Sequence, residues 1–129
     1  MSILDASAII ALLEREPGHQ RVADIIAEGE AAVSAANLAE VAGRLVIRTG
    51  SAEEARDIVE ELPIHIIELT RDLAIEAGLL LAATEPLGLS LGDRICLALA
   101  RQENRPAITA DRAWSQLDPS LGVSIELIR

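Results

Sequence analysis

Apolar residues along the chain fall into short blocks with two rhythms. Five compact runs read as strands: Ser-Ile-Leu at the start, Ala-Val-Ser-Ala around Val33, Ile-His-Ile-Ile-Glu-Leu around Ile66, Ala-Ile-Thr around Ile108 and Val-Ser-Ile-Glu-Leu near the end. Between them the apolar positions recur at helical spacing. Residues Ser7 to Glu14 carry Ala8, Ile9, Ala11, Leu12 and Leu13, and the Glu-Pro-Gly that follows is a stop signal. Gly18 to Glu28, Leu38 to Arg48 and Ala52 to Leu62 each show one apolar face, and Asp72 to Thr84 and Leu91 to Glu103 repeat the pattern. Strands alternating with helices predict an α/β fold, a mainly parallel sheet of about five strands with helices on both faces. No repeat, low-complexity segment or flexible linker divides the chain, and residues 85–92 read as an ordered loop because Leu87, Leu89 and Leu91 are apolar. One domain over residues 1–129 is expected.

Composition narrows the chemistry. Half of the residues are hydrophobic, almost all of them Ala, Leu, Ile and Val, with Trp114 the one aromatic residue, so base stacking has little to work with. The formal charge is −10, from 21 acidic residues against 11 basic ones, and every basic residue is arginine. The absence of lysine excludes a P-loop nucleotide site and Schiff-base chemistry. The negative balance argues against nucleic-acid binding through a broad basic face, so any such binding needs locally supplied positive charge. Cys96 stands alone inside an apolar run and reads as a buried, inert thiol. The longest uncharged stretch, Ala31 to Ala39, is far shorter than a bilayer span, and no basic leader precedes the first apolar residues. A cytoplasmic protein that does not enter membranes is expected.

Four acids share a local setting. Asp5, Glu40 and Asp111 each follow a strand and open a helix, and Asp93 opens a helix after the long loop. In an open parallel sheet such strand ends form the edge where ligands bind. Each acid also serves as a helix cap: Asn37-Leu-Ala-Glu40 and Ser90-Leu-Gly-Asp93 resemble capping boxes, and Asp5 and Asp111 are good N-caps. A cap contributes about 1 kcal/mol, whereas two carboxylates about 5 Å apart repel by ~3 kcal/mol at an effective dielectric near 20. If the four converge, a divalent cation is the favoured way to quench that repulsion. All-oxygen ligands suit Mg²⁺ or Mn²⁺ rather than zinc. His19, after the helix stop, is expected to be solvated, and His65, inside a strand, to be structural.

Leu4-Asp5-Ala6-Ser7-Ala8, Asn37-x-x-Glu40, Ser90-Leu-Gly-Asp93-Arg94 and Thr109-Ala110-Asp111-Arg112 with Trp114 shortly after resemble, in order and spacing, the motifs of PIN-domain proteins, especially VapC-type toxins of bacterial toxin–antitoxin pairs. The resemblance spans nearly the whole chain. It implies a metal-dependent endoribonuclease, the toxin of a type II pair, with Asp5, Glu40, Asp93 and Asp111 grouped around one or two Mg²⁺ or Mn²⁺ ions. It further implies that Ser7 and Thr109 stand beside the acids as orienting hydroxyls, and that Asn37 and Ser90 keep a capping role and fix the rotamers of Glu40 and Asp93. A homodimer and a small VapB-type antitoxin are the implied partners, besides the RNA substrate. Arg44, Arg94 and Arg112, close in sequence to the acids, are candidates for holding RNA phosphates, with Arg48 a weaker one whose alternative is a surface ion pair. Most of the aliphatic surface of the first two helices, through Ile9, Leu12, Leu13, Val22, Ile25 and Ile26, is expected in the core, and the resemblance implies that a residual groove beside them is where an antitoxin helix docks. Two other classes compete: a noncatalytic PIN-like protein-binding scaffold, and a Mg²⁺-dependent hydrolase of DNA or of a small phosphate ester.

Overall fold

The computed structural model describes Met1–Arg129 in full. Five strands, β1 (Ser2–Leu4), β2 (Ala31–Ser34), β3 (His65–Ile67), β4 (Ala107–Thr109) and β5 (Ile125–Leu127), form one sheet in the order β3-β2-β1-β4-β5. Every pairing is parallel, as the alternation of strands and helices requires. The register sets Leu4 beside both Val33 and Ile108.

The sheet is covered on both faces because its strands alternate side chains between two cores. Leu4, Val33 and Ile108 point to a layer built by α1 (Ala6–Glu14), α2 (His19–Ala27), α3 (Ala35–Thr49) and α4 (Ala52–Glu61). Ile3, Ala32 and Ala107 point the other way, to α5 (Arg71–Gly78), α7 (Leu91–Glu103) and Trp114. α7 is the most enclosed helix, with Ile95 to Ala100 all buried. Gly18 makes the tight entry to α2 at φ +92, where a Cβ would collide with the Ile128 carbonyl and detach the last strand from the α1–α2 turn.

Three boundaries differ from the sequence reading. The expected helix 72–84 breaks after Gly78, with α6 (Leu81–Thr84) as a separate turn, because Leu80 and Thr84 turn into the core there. The expected loop 85–92 holds a 3₁₀ turn at Glu85–Leu87 and the first residues of α7. α3 begins three residues before Leu38, because Ser34 rather than Asn37 caps it. No helix is long and apolar enough to cross a membrane. His65 stands exposed on the edge strand β3, and His19 is half-buried at the start of α2, rather than solvated.

Candidate active site

From β1 the chain winds out to β2 and β3, then returns to place β4 and β5 on the opposite side of β1. The order therefore reverses between β1 and β4, and the crevice at the carboxyl ends of those strands is the expected ligand position in such a sheet. Asp5 follows β1 at this point, and its backbone N–H donates to the Ile108 carbonyl at 3.0 Å, locking it against β4.

Asp5 is only 2% exposed. Its Oδ1 accepts from the Ala8 N–H at 2.9 Å, which makes it the N-cap of α1, and from the Ser7 hydroxyl at 2.7 Å. The Thr109 hydroxyl donates to Oδ2 at 2.6 Å and accepts the Asp111 N–H at 3.0 Å, so β4 ties the second aspartate into the same network. The Ser7 hydroxyl also accepts the Ala110 N–H at 2.9 Å. Burial pushes the Asp5 carboxyl up to about 6 from an ordinary 3.8, the hydrogen bonds from Thr109, Ala8 and Ser7 oppose the rise, and the Asp93 charge adds to it.

Glu40 and Asp93 approach from helix starts. The Asp93 carboxylate accepts the Ser90 N–H at 2.8 Å while the Ser90 hydroxyl accepts the Asp93 N–H at 3.2 Å, the capping box anticipated from Ser90-Leu-Gly-Asp93. Asn37 is not an N-cap. It is fully buried in the first turn of α3, takes a hydrogen bond from the Ser34 hydroxyl at 3.0 Å, and donates its amide to Glu40 Oε2 at 3.1 Å and to the Gly92 carbonyl at 3.3 Å. Beneath the site, burial pushes the Cys96 thiol up, and the charges of Asp5, Asp93 and Glu40 all add to that rise. Asp111 Oδ1 accepts the Ala113 N–H at 3.0 Å, capping a short 3₁₀ turn.

Asp5, Glu40 and Asp93 thus share one electrostatic neighbourhood, and Thr109 joins Asp111 to it. No three acids stand close enough to ligate a single ion as placed, since each is held by its own local donor. The donor set nevertheless fits a hard divalent cation, being entirely oxygen, with a desolvated Asp5 within reach of the Asp93 charge and room at Gly92 for the Glu40 carboxylate.

The arginines are arranged differently from one another. Arg44 and Arg48 lie 3.5 and 3.4 Å from the Oε1 of the nearly buried Glu14, at the end of α1. Arg94 turns one nitrogen to the Leu89 carbonyl at 3.2 Å and leaves its buried Nε unpaired. Arg112 is exposed. Sequence reasoning missed Ser34, Gly92 and Glu14. The first was readable in Ser34-x-x-Asn37 and the second in a glycine inside an apolar helix, but nothing in the sequence pointed to Glu14.

An open parallel α/β sheet with a buried aspartate at its switch point is one class of ligand-binding architecture, and its relatives narrow it. A PIN domain model matches residues 2–119, so the chain belongs to the PIN-domain family, a family of nucleases. No curated protein matches the chain. Among solved structures, the DNA-bound VapBC of Salmonella typhimurium is 16% identical with a TM-score of 0.74, covering 99% of this chain and 98% of the other. VapBC2 of Rickettsia felis, bound to a fragment of its promoter DNA, is 16% identical at 0.71, covering 98% and 97%. VapC20 of Mycobacterium tuberculosis, described as a toxin that cleaves the sarcin–ricin loop, is 21% identical at 0.68, covering 92% and 97%. At these identities the likeness is one of fold.

Proposed function

We propose that this PIN domain is a cytoplasmic, metal-dependent endoribonuclease and the toxin of a type II toxin–antitoxin pair. The observation that carries the reading is Asp5 at the switch point, 2% exposed and braced by the Ser7 and Thr109 hydroxyls. In this reading Asp5, Glu40, Asp93 and Asp111 hold Mg²⁺ or Mn²⁺. The bound ion supplies a more nucleophilic water and offsets charge at the reacting phosphate. The protein's own part is positional. Ser7 and Thr109 hold the Asp5 carboxylate in one orientation, and Thr109 aligns the backbone at Asp111. Asn37 and Ser90 do the same for Glu40 and Asp93. Arg112, exposed beside Asp111, and Arg94 are assigned to an incoming phosphate, and Arg44 joins only by leaving Glu14. RNA is favoured as substrate because a structural neighbour is described as cleaving an RNA loop.

The partner is a VapB-type antitoxin, in keeping with the toxin–antitoxin complexes among the neighbours. Of the aliphatic residues singled out on the first two helices, only Leu12, Leu13 and Ile26 stay partly exposed, because Ile9, Val22 and Ile25 are spent in the core. An open groove of about 610 Å³ lies instead between α3 and α4, lined by Leu38, Ala42, Val46, Ala55 and Val59. An amphipathic antitoxin helix fits such a groove. Exposed Leu79, Leu81 and Leu91 give a second copy of the chain an apolar face. Val46→Asp is expected to weaken antitoxin binding in a pull-down and to leave self-association, read by light scattering, unchanged; the reverse pattern would exchange the two assignments.

One assay decides the activity. The purified protein, incubated with structured RNA, single-stranded DNA and a generic phosphate ester, should cut RNA alone, only with Mg²⁺ or Mn²⁺, and leave 5′-phosphate and 3′-hydroxyl ends. A 2′,3′-cyclic phosphate would reject the mechanism, and cleavage of DNA or the ester would reject the substrate. The second reading, a noncatalytic scaffold, is favoured by the satisfaction of Asp5, Asp93 and Asp111 as caps. It predicts no cleavage and no metal-induced rise in melting temperature. The enzyme reading expects a rise of roughly 10 °C at an ion concentration a hundred times the dissociation constant.

A further inference from the structure

Gly92 lies buried in the first turn of α7, next to Asp93, in ordinary right-handed backbone. Backbone freedom therefore does not account for a glycine there, and alanine is the better helix former. Space does. A Cβ at position 92 would stand 2.7 Å from Glu40 Cδ and 3.0 Å from Oε2, with Oε1 closer still. Carbon and oxygen do not approach that closely. The Glu40 carboxylate occupies the volume that a side chain at position 92 would fill.

We propose that Gly92 is a positioning residue, whose missing side chain seats the Glu40 carboxylate against the start of α7 and so brings α3's acid to Asp93. The inference rests on the acidic-site reading above and deepens it. The seat has a second wall. Asn37, held by Ser34, divides its amide between Glu40 Oε2 and the Gly92 carbonyl, so one buried side chain bonds both the carboxylate and the backbone it leans on. Two helices that meet nowhere else through hydrogen-bonded side chains at this edge are joined there. Since Glu40 is the flexible end of an exposed residue and α7 is packed on several sides, alanine at position 92 displaces Glu40 rather than the helix. The expected consequence is a folded protein with an altered ion site.

The test is a double-mutant cycle of wild type, Gly92→Ala, Glu40→Ala and the double variant, run twice. Urea unfolding in EDTA reads the contact without any metal. Gly92→Ala should be more favourable in the Glu40→Ala background than in wild type, with a coupling of at least about threefold in the unfolding constant. Calorimetric titration with Mn²⁺ reads the site. Gly92→Ala should weaken binding by roughly 10- to 100-fold, the range for residues that support metal ligands, and the double variant should bind no more weakly than Glu40→Ala alone. Absence of coupling in EDTA, or Mn²⁺ affinity within about twofold of wild type, overturns the proposal. If even wild type binds no Mn²⁺, the metal-site reading fails, and the EDTA cycle alone then decides whether Gly92 seats Glu40.

Discussion

Asp5 and Glu40 carry the same charge at the same edge of the sheet, yet their surroundings have little in common. Asp5 is fixed between two parallel strands, 2% exposed, with Ser7, Ala8 and Thr109 donating to its carboxylate. Glu40 reaches in from an exposed helix position, with a single amide from Asn37 on one oxygen. The first arrangement holds its carboxylate rigidly and costs stability, because a charge is kept from water. The second costs little and can shift. One of the two acids is therefore immobile and the other adjustable, and in the proposed metal site the first would be the fixed reference point.

The sharpest way to break this contrast is to neutralise an acid from each half. Asp5→Asn and Asp93→Asn should each lower RNA cleavage by at least about 100-fold if each is, as proposed, a metal ligand rather than a supporting group. Asp5→Asn should also change how stability depends on pH. The folded-state pKa of Asp5 lies above its ordinary value, so its contribution to stability is fully present below pH 3.8 and is lost as pH rises through about 6. In the absence of divalent ions wild type therefore forfeits up to roughly 3 kcal/mol at this residue between acid and neutral pH. Urea midpoints should show Asp5→Asn gaining on wild type from pH 4 to 7; parallel curves would mean that Asp5 is solvated after all.

A smaller effect separates the hydroxyls. Thr109→Val removes a buried donor to a carboxylate and should cost about 1.5–3 kcal/mol, whereas Ser90→Ala removes an exposed cap and should cost about 1 kcal/mol. Equal losses in chemical denaturation would erase the distinction between the two halves. Smallest of all, Arg112→Gln should leave stability within about 0.5 kcal/mol of wild type while raising KM for RNA and flattening its dependence on salt. An unchanged salt dependence would remove Arg112 from phosphate binding.

The legible parts of the molecule are those governed by neighbours in sequence. Ser-Ile-Leu before an aspartate, the Ser90 capping box and the apolar run of α7 all appear where the pattern placed them, because strand alternation, helix periodicity and caps act over a few residues. The helix expected over residues 72–84 failed for the opposite reason: its periodicity is continuous, and only packing of Leu80 and Thr84 breaks it. Asn37 was read as a cap because its spacing to Glu40 allows one, and Ser34 took the position by standing at the strand's end.

By itself the sequence determined that strands and helices alternate, that the sheet is parallel and that four acids stand at strand or helix junctions, since each of these follows from local chain geometry. The tertiary structure alone decided that β4 lies beside β1, so that Thr109 reaches an aspartate 104 residues away, that Glu14 claims Arg44 and that Gly92 makes room for Glu40. Those contacts are between residues far apart in the chain, and whether they form depends on how the sheet is ordered and how two helices pack across it, information that no local pattern carries.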